Sequence, residues 1–295
     1  MRPDLHLATA SRTLELSDGR VLHLREWPGR GRPVVLLHGL LDSSLGWAEL
    51  AARSRRRCVA IDLPGFGLSS APSRPRLGAY ADDVVDGVRR LGVRSFTLVG
   101  HSLGGGVAAI VAEKMSREVR SLVLSAPVGF GRLPLAELAA GPIVKELATS
   151  LLPHIVSRPP LLAALYSHLI TNGVAPTPDL CDRLAVEAGG VAPGVRAALD
   201  ALAAASRRAG PFTRRHIDYH GPVAAVWGDR DLLVPPTHAR GVVRALPQTR
   251  VHLWAGVGHH LQRERPLALG ALVEAACAAA APSVVGSNGE LRLVA

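Results

Sequence analysis

A chain of 295 residues is about twice a common domain length of ~150 residues, yet still within reach of one large α/β domain. Its 48% hydrophobic and 20% charged content excludes a disordered or low-complexity protein. The net charge of +10 raises nucleic acid or an anionic membrane as partners, but the cations are arginines scattered from Arg2 to Arg292, joined only by Lys114 and Lys145. Aromatic residues make up 4%, with no basic and aromatic stripe, so no nucleic-acid surface is expected. Cys58, Cys181 and Cys277 are odd in number and far apart, in neither a disulfide nor a metal-ligand spacing. They read as buried thiols of a cytoplasmic protein.

The first residues, MRPDLHLATASRTLELSDG, hold no apolar core of the kind a signal peptide needs, and no later segment approaches the ~20 apolar residues of a membrane span. From Thr13 to Glu26 two short alternating runs flank Asp18-Gly19, the pattern of a hairpin. Continuous apolar runs of strand length follow at Pro33–Leu37, Cys58–Leu63, Phe96–Val99, Leu122–Leu124, Val223–Trp227 and Thr249–Leu253. The basic run Arg53–Arg57 comes just after the apolar-periodic Leu45, Trp47 and Leu50, where cations suit a helix C-terminus. Helix-length segments separate most of the strands. Strands that are apolar throughout belong to a mostly parallel, twisted sheet with helices on both faces, so the fold class is α/β.

One interval breaks the β-α rhythm. Between Ser125 and Val223 no convincing strand occurs, and helical apolar patterns run at Pro142–Leu152, Pro160–Ile170, Leu180–Ala188 and Val195–Ala205. A structureless loop of that size would be out of place in a compact domain, so residues 130–210 are expected to form an inserted helical lid. The core is then residues 1–129 and 211–281. Residues 282–295 form a tail, either frayed or folded as a small hairpin around Asn288-Gly289.

The chemistry concentrates at Gly100-His101-Ser102-Leu103-Gly104, directly after one strand and directly before a helix-like run. A G-x-S-x-G turn in that context sets the serine on a strained corner with its hydroxyl above the sheet, and the glycines are needed because side chains there would collide with the backbone. In the order of the chain stand also His38-Gly39, Asp62-Leu63-Pro64-Gly65-Phe66-Gly67-Leu68-Ser69, Trp227-Gly228-Asp229-Arg230-Asp231 and Gly258-His259. Taken together these resemble the α/β-hydrolase family over nearly the whole chain. The resemblance implies a serine, acid, histidine triad in chain order.

A serine hydroxyl needs an imidazole to take its proton and an acid to hold that imidazole's tautomer. The resemblance assigns Ser102 as nucleophile and His259 as base. His260 is the neighbouring rival; His101 is expected to point to the other side of the elbow, and His38 to belong to a turn. For the acid, Asp231 is favoured over Asp229, whose alternative role is to brace the loop. The preceding strand ends Leu124-Ser125-Ala126-Pro127 with no carboxylate. By the same resemblance the backbone N–H groups of Leu40 and Leu103 form the oxyanion hole, while Asp42, Ser43 and Ser44 are expected to cap the next helix.

A serine rather than an aspartate at the elbow argues for acyl chemistry. The first expectation is hydrolysis of a carboxylic ester of an apolar small molecule through an acyl-enzyme on Ser102. Carbon–carbon bond hydrolysis by the same triad, and a non-hydrolytic binding or cyclase member, stand as alternatives. The lid is rich in Leu, Ala, Val and Ile, which suits an apolar pocket, and its removal over 131–209 is expected to change chain-length preference without disturbing the triad. No dinucleotide-type glycine loop or metal cluster is present in the sequence, so neither cofactor nor metal is expected. Oligomeric state is not legible.

Overall fold

The computed structural model describes residues 10–156, 158–175, 194–206, 211–279 and 293–294. The chain opens with β1 (Ala10–Glu15) and β2 (Val21–Trp27), an antiparallel hairpin in which Ala10 pairs with Glu26. Its turn places Gly19 at φ +80°, a left-handed conformation that glycine adopts without steric cost. There follow β3 (Val34–Leu37), α1 (Ala48–Arg53), β4 (Cys58–Ile61), α2 (Leu77–Arg90), β5 (Phe96–His101), α3 (Leu103–Lys114) and β6 (Val119–Ser125). After the insertion come β7 (Val223–Gly228), α8 (Ala239–Ala245), β8 (Thr249–Trp254), α9 (Leu261–Glu264), α10 (Pro266–Ala278) and β9 (Leu293–Val294).

These strands form one sheet in the order β1-β2-β4-β3-β5-β6-β7-β8-β9. Pairing is parallel from β4 to β9, while β1 and β2 close one edge antiparallel. Every residue of β3, β4, β5 and β7 is buried, as their unbroken apolar runs require of strands covered on both faces. Helix α3, with α2 beside it, packs over β5 and β6, and α10, with α1 beside it, packs against β5, β6 and β7. Cys277 of α10 meets Thr97 there, its Sγ 3.1 Å from the threonine hydroxyl. In the basic run, Arg56 and Arg57 pair with Glu274 and Glu26.

Between β6 and β7 the chain forms α4 (Pro134–Ala139), α5 (Pro142–Val156), α6 (Pro159–Leu165) continuing into a wide helical turn at Tyr166–Ile170, and α7 (194–206). The helical pattern at 180–188 and Cys181 lie outside the described residues. In the C-terminal tail, Leu293 and Val294 add a short parallel strand to β8, and the remainder of 280–295, with the turn expected around Asn288-Gly289, lies outside the described residues.

The strand order places β3 at the point where the winding reverses, with β4 on one side and β5 on the other. In open α/β sheets the crevice outside the carboxyl ends of the strands at such a point is where ligands bind. Three non-glycine residues among those described have positive φ: Leu41 at 57°, Ser102 at 54° and Ala126 at 44°. They follow β3, β5 and β6, three adjacent strands, at their carboxyl ends. Strain of this kind costs about 1–3 kcal/mol per residue and persists only where the surroundings impose it, so its convergence marks this edge as the candidate site.

Candidate active site

Ser102 stands between β5 and α3 with φ 54° and ψ −116°. The corner is held by backbone bonds on every side: Ser102 N–H donates to Ser125 O at 2.9 Å, Gly104 N–H to His38 O at 3.1 Å and Val128 N–H to Ser102 O at 3.1 Å. A Cβ on Gly100 would fall 2.7 Å from the Cβ of Ala108, and one on Gly105 2.7 Å from that of Pro127, so bulk at either position would push helix and strand apart. The serine is 7% exposed, less open than the sequence suggests. The loop after β3 lies over it, close enough that a Cβ on Gly39 would meet the serine Cβ at 3.0 Å.

Asp231 follows β7 and His259 follows β8, on neighbouring strands. Asp231 Oδ2 lies 2.7 Å from His259 Nδ1, and Oδ1 accepts the N–H groups of Leu233 and Val234, both at 2.9 Å. Both carboxylate oxygens are thus committed, in a side chain fully shielded from solvent. Asp229 points elsewhere and takes the Gly256 N–H at 2.8 Å, bracing the turn after β8. Leu40 lies on the loop after β3 and Leu103 opens α3 directly after the serine; among the described residues neither N–H donates to a backbone carbonyl.

Abundant histidine at this edge is sorted by its partners. His101 lies against the candidate base, not on the far side of the elbow, with ring centroids 4.7 Å apart. Its Nε2–H donates to the His259 carbonyl at 2.9 Å while Nδ1 accepts from Gln262 at 3.2 Å. Burial, and then the neighbouring His259, push its pKa down to about 3, so it is a neutral brace. His38 uses one nitrogen on Gly39 O and the other on Leu63 N–H, fixing the loop that carries Leu40. Asp42 is not a helix cap: Ser43 takes that role, and Asp42 pairs with Arg263 at 2.7 Å. Burial raises the Asp42 carboxyl, but the guanidinium and nearby histidines outweigh it and hold the group well below its ordinary range.

Comparison with known proteins bears on the fold that carries this geometry. Residues 32–150, covering the strand, elbow and following helices, match the model of the alpha/beta hydrolase fold. The chain has the α/β-hydrolase fold. It is 26% identical to the sn-1-specific diacylglycerol lipase ABHD11 of Mus musculus, over 79% of this chain and 76% of that protein. It is 27% identical to the 2-hydroxymuconate semialdehyde hydrolase of Pseudomonas putida, over 83% and 87%. Among solved structures, a membrane phospholipase A described as a bacterial virulence factor aligns with a TM-score of 0.70 at 26% identity, covering 91% of this chain and 85% of that one. Among the described residues no helix is long and apolar enough to cross a membrane.

This member of the α/β-hydrolase fold ties its insertion to the loop that carries His259. His259 N–H donates to Ile170 O at 2.7 Å, and the Tyr166 hydroxyl and His260 Nδ1 are hydrogen-bonded at 2.8 Å. Glu264 accepts Gly258 N–H at 2.9 Å and Asn172 N–H at 3.2 Å, so one carboxylate clamps both segments. Burial raises the pKa of Glu264, although the two amides favour its ionised form. The segment Tyr166–Asn172 therefore supports the histidine loop, and cutting out 131–209 would remove that support along with the helices. Sequence reasoning missed Tyr166, Ile170, Gln262 and Glu264 because their partners lie on other elements. The one local signal was the acidic residue inside Arg263-Glu264-Arg265, which reads as part of a helix start.

Proposed function

We propose that the chain is a serine hydrolase that cleaves the carboxylic ester of an apolar small molecule, with Ser102 as nucleophile, His259 as general base and then acid, and Asp231 as the orienting carboxylate. The observation that carries this reading is the buried Asp231–His259 pair, whose imidazole packs 4.7 Å between centroids from that of His101, the neighbour of the strained elbow serine. An ionised Asp231 holds the proton on Nδ1, which leaves His259 Nε2 as an acceptor for the serine proton. Attack by Oγ makes a tetrahedral oxyanion, for which the amides of Leu40 and Leu103 are the donors; the proton on Nε2 then passes to the departing alcohol. Water enters by the same route in reverse and releases the acid. Leu135, Leu138, Ile143, Leu147 and Leu151 are exposed on the insertion, which supports its role as an apolar lid, and the unpaired, buried Cys58 and Cys277 suit a cytoplasmic enzyme.

The diacylglycerol lipase and phospholipase among the similar proteins favour an ester. A second reading, hydrolysis of a carbon–carbon bond in a β-diketone-type substrate, is retained because one relative is named for a semialdehyde rather than an ester. Fluorophosphonate labelling followed by peptide mapping tests the nucleophile: modification of Ser102 is expected, and an unlabelled Ser102 in folded protein would leave a non-hydrolytic member of the fold. A series of p-nitrophenyl esters of graded chain length then separates ester from carbon–carbon chemistry and reports the lid's preference.

A further inference from the structure

A second chain of serine, histidine and carboxylate runs from the β1–β2 hairpin at the lateral edge of the sheet to the carboxyl end of β4. In the β1–β2 hairpin Ser11 pairs with Arg25 and Thr13 with His23. Side chains alternate along a strand, so Ser11, His23 and Arg25 project from the same face. Asp62 follows β4, the next strand, and its N–H donates to His23 O at 2.9 Å. Its carboxylate lies 2.6 Å from His23 Nδ1 and also accepts Ser44 N–H at 2.6 Å and Leu68 N–H at 3.2 Å. Burial raises this carboxyl, but the His23 hydrogen bond and its other donors outweigh it and keep the group below its ordinary value. An ionised Asp62 fixes the His23 proton on Nδ1. Nε2 is then an acceptor, and it lies 2.7 Å from Ser11 Oγ.

His23 and Asp62 are buried, whereas Ser11 is exposed on an edge strand where a reagent can reach it. Directly opposite, half-buried Arg25 has an Nε with no hydrogen-bond partner. That puts a cationic side chain on the face of the hairpin that carries the hydroxyl, in place of the paired amides of the elbow.

We infer that Ser11 is a second nucleophile, a modification site that accepts an acyl group from activated aryl esters independently of Ser102. Ser11 Oγ bonds to the acyl carbon and the ester C–O bond breaks. The hydroxyl proton passes to His23 Nε2 and on to the departing aryloxide, leaving O-acyl-Ser11. The backbone here is plain extended strand and offers no amide pair to an oxyanion, so the step is a single acylation without rapid turnover.

The test uses folded Ser102→Ala protein treated with p-nitrophenyl acetate, with acetylation rates read by peptide mass spectrometry at Ser11 and at the exposed serines Ser17, Ser95 and Ser116. General-base assistance commonly contributes 10²–10⁴-fold, so Ser11 is expected to react at least roughly tenfold faster than these three. His23→Gln should bring it down to their rate. Because His23 is buried and its replacement can unfold the hairpin, Arg25→Gln is the second variant; it leaves the relay intact and should slow Ser11 several-fold. Acetylation of Ser11 in Ser102→Ala at the rate of Ser17, Ser95 and Ser116 would overturn the inference and reduce the chain to a hydrogen bond that satisfies His23.

Discussion

The proposed Ser102–His259–Asp231 triad and the Ser11–His23–Asp62 chain differ in backbone rather than in side chains. At each, a buried carboxylate lies within 2.7 Å of a histidine Nδ1 and accepts two amides besides. Ser102 sits at φ 54° on a corner between strand and helix, next to strained Leu41 and Ala126 and beside amides with no carbonyl to bind. Ser11 sits in an extended edge strand with a single guanidinium for company. Polarising a hydroxyl takes three side chains, but stabilising the oxyanion it creates takes a backbone bent to aim its donors, and the strain after β3, β5 and β6 is found around Ser102 and not around Ser11.

The sharpest way to break the comparison is Ser102→Ala. It should lower p-nitrophenyl ester turnover by on the order of 10⁶, the loss seen when a triad serine is removed from a serine protease. Product beyond one equivalent per chain, released at more than a thousandth of the original rate, would mean that Ser11 or another residue turns over. Next in size is Asp231→Asn, which keeps the shape and removes the charge that sets the tautomer; kcat should fall by about 10⁴. Asp229→Asn, assayed beside it, should cost far less because that carboxylate braces Gly256. A larger effect at Asp229 would reassign the acid while leaving the fold unchanged.

The support of the histidine loop gives a smaller effect. Tyr166→Phe removes one buried hydrogen bond, worth about 0.5–1.5 kcal/mol, so kcat should drop roughly threefold to tenfold. KM for short esters should hold steady. An equal change in KM alone would make Tyr166 a pocket residue. In the same way, a deletion sparing 159–175 should retain turnover that deletion of 131–209 loses.

The smallest expected effect is on stability. His101 titrates near 3 when folded and near 6.5 when unfolded, so between those values the unfolded chain holds the extra proton. Unfolding free energy should therefore fall as pH drops below about 6.5, by up to about 1.4 kcal/mol per unit from this group, and the slope should shrink in His101→Asn. Denaturant melts from pH 7 to pH 5 would show it; an identical slope in the variant would locate the acid sensitivity elsewhere.

Much of this molecule is legible in short windows of sequence. Unbroken apolar runs such as Val34–Leu37 and Val223–Gly228 mark strands buried on both faces, and Asp18-Gly19 marks the hairpin turn, because periodicity and turn chemistry act over a few residues. The elbow is legible as a short pattern too, although only the collision that demands glycine at 100 is local to the turn, while that at 104 is with the carbonyls of Leu37 and His38. What only the tertiary structure decided are the meetings of distant residues. His101 braces the carbonyl of a residue 158 positions away, Tyr166 bonds a histidine 94 positions away, and Asp62 meets His23 across 39. Nothing near Tyr166 or Ser11 in the chain encodes those partners. They are fixed by strand order and by the way a parallel sheet gathers its carboxyl ends together, while the antiparallel hairpin carries Ser11 and His23 to Asp62 just after β4.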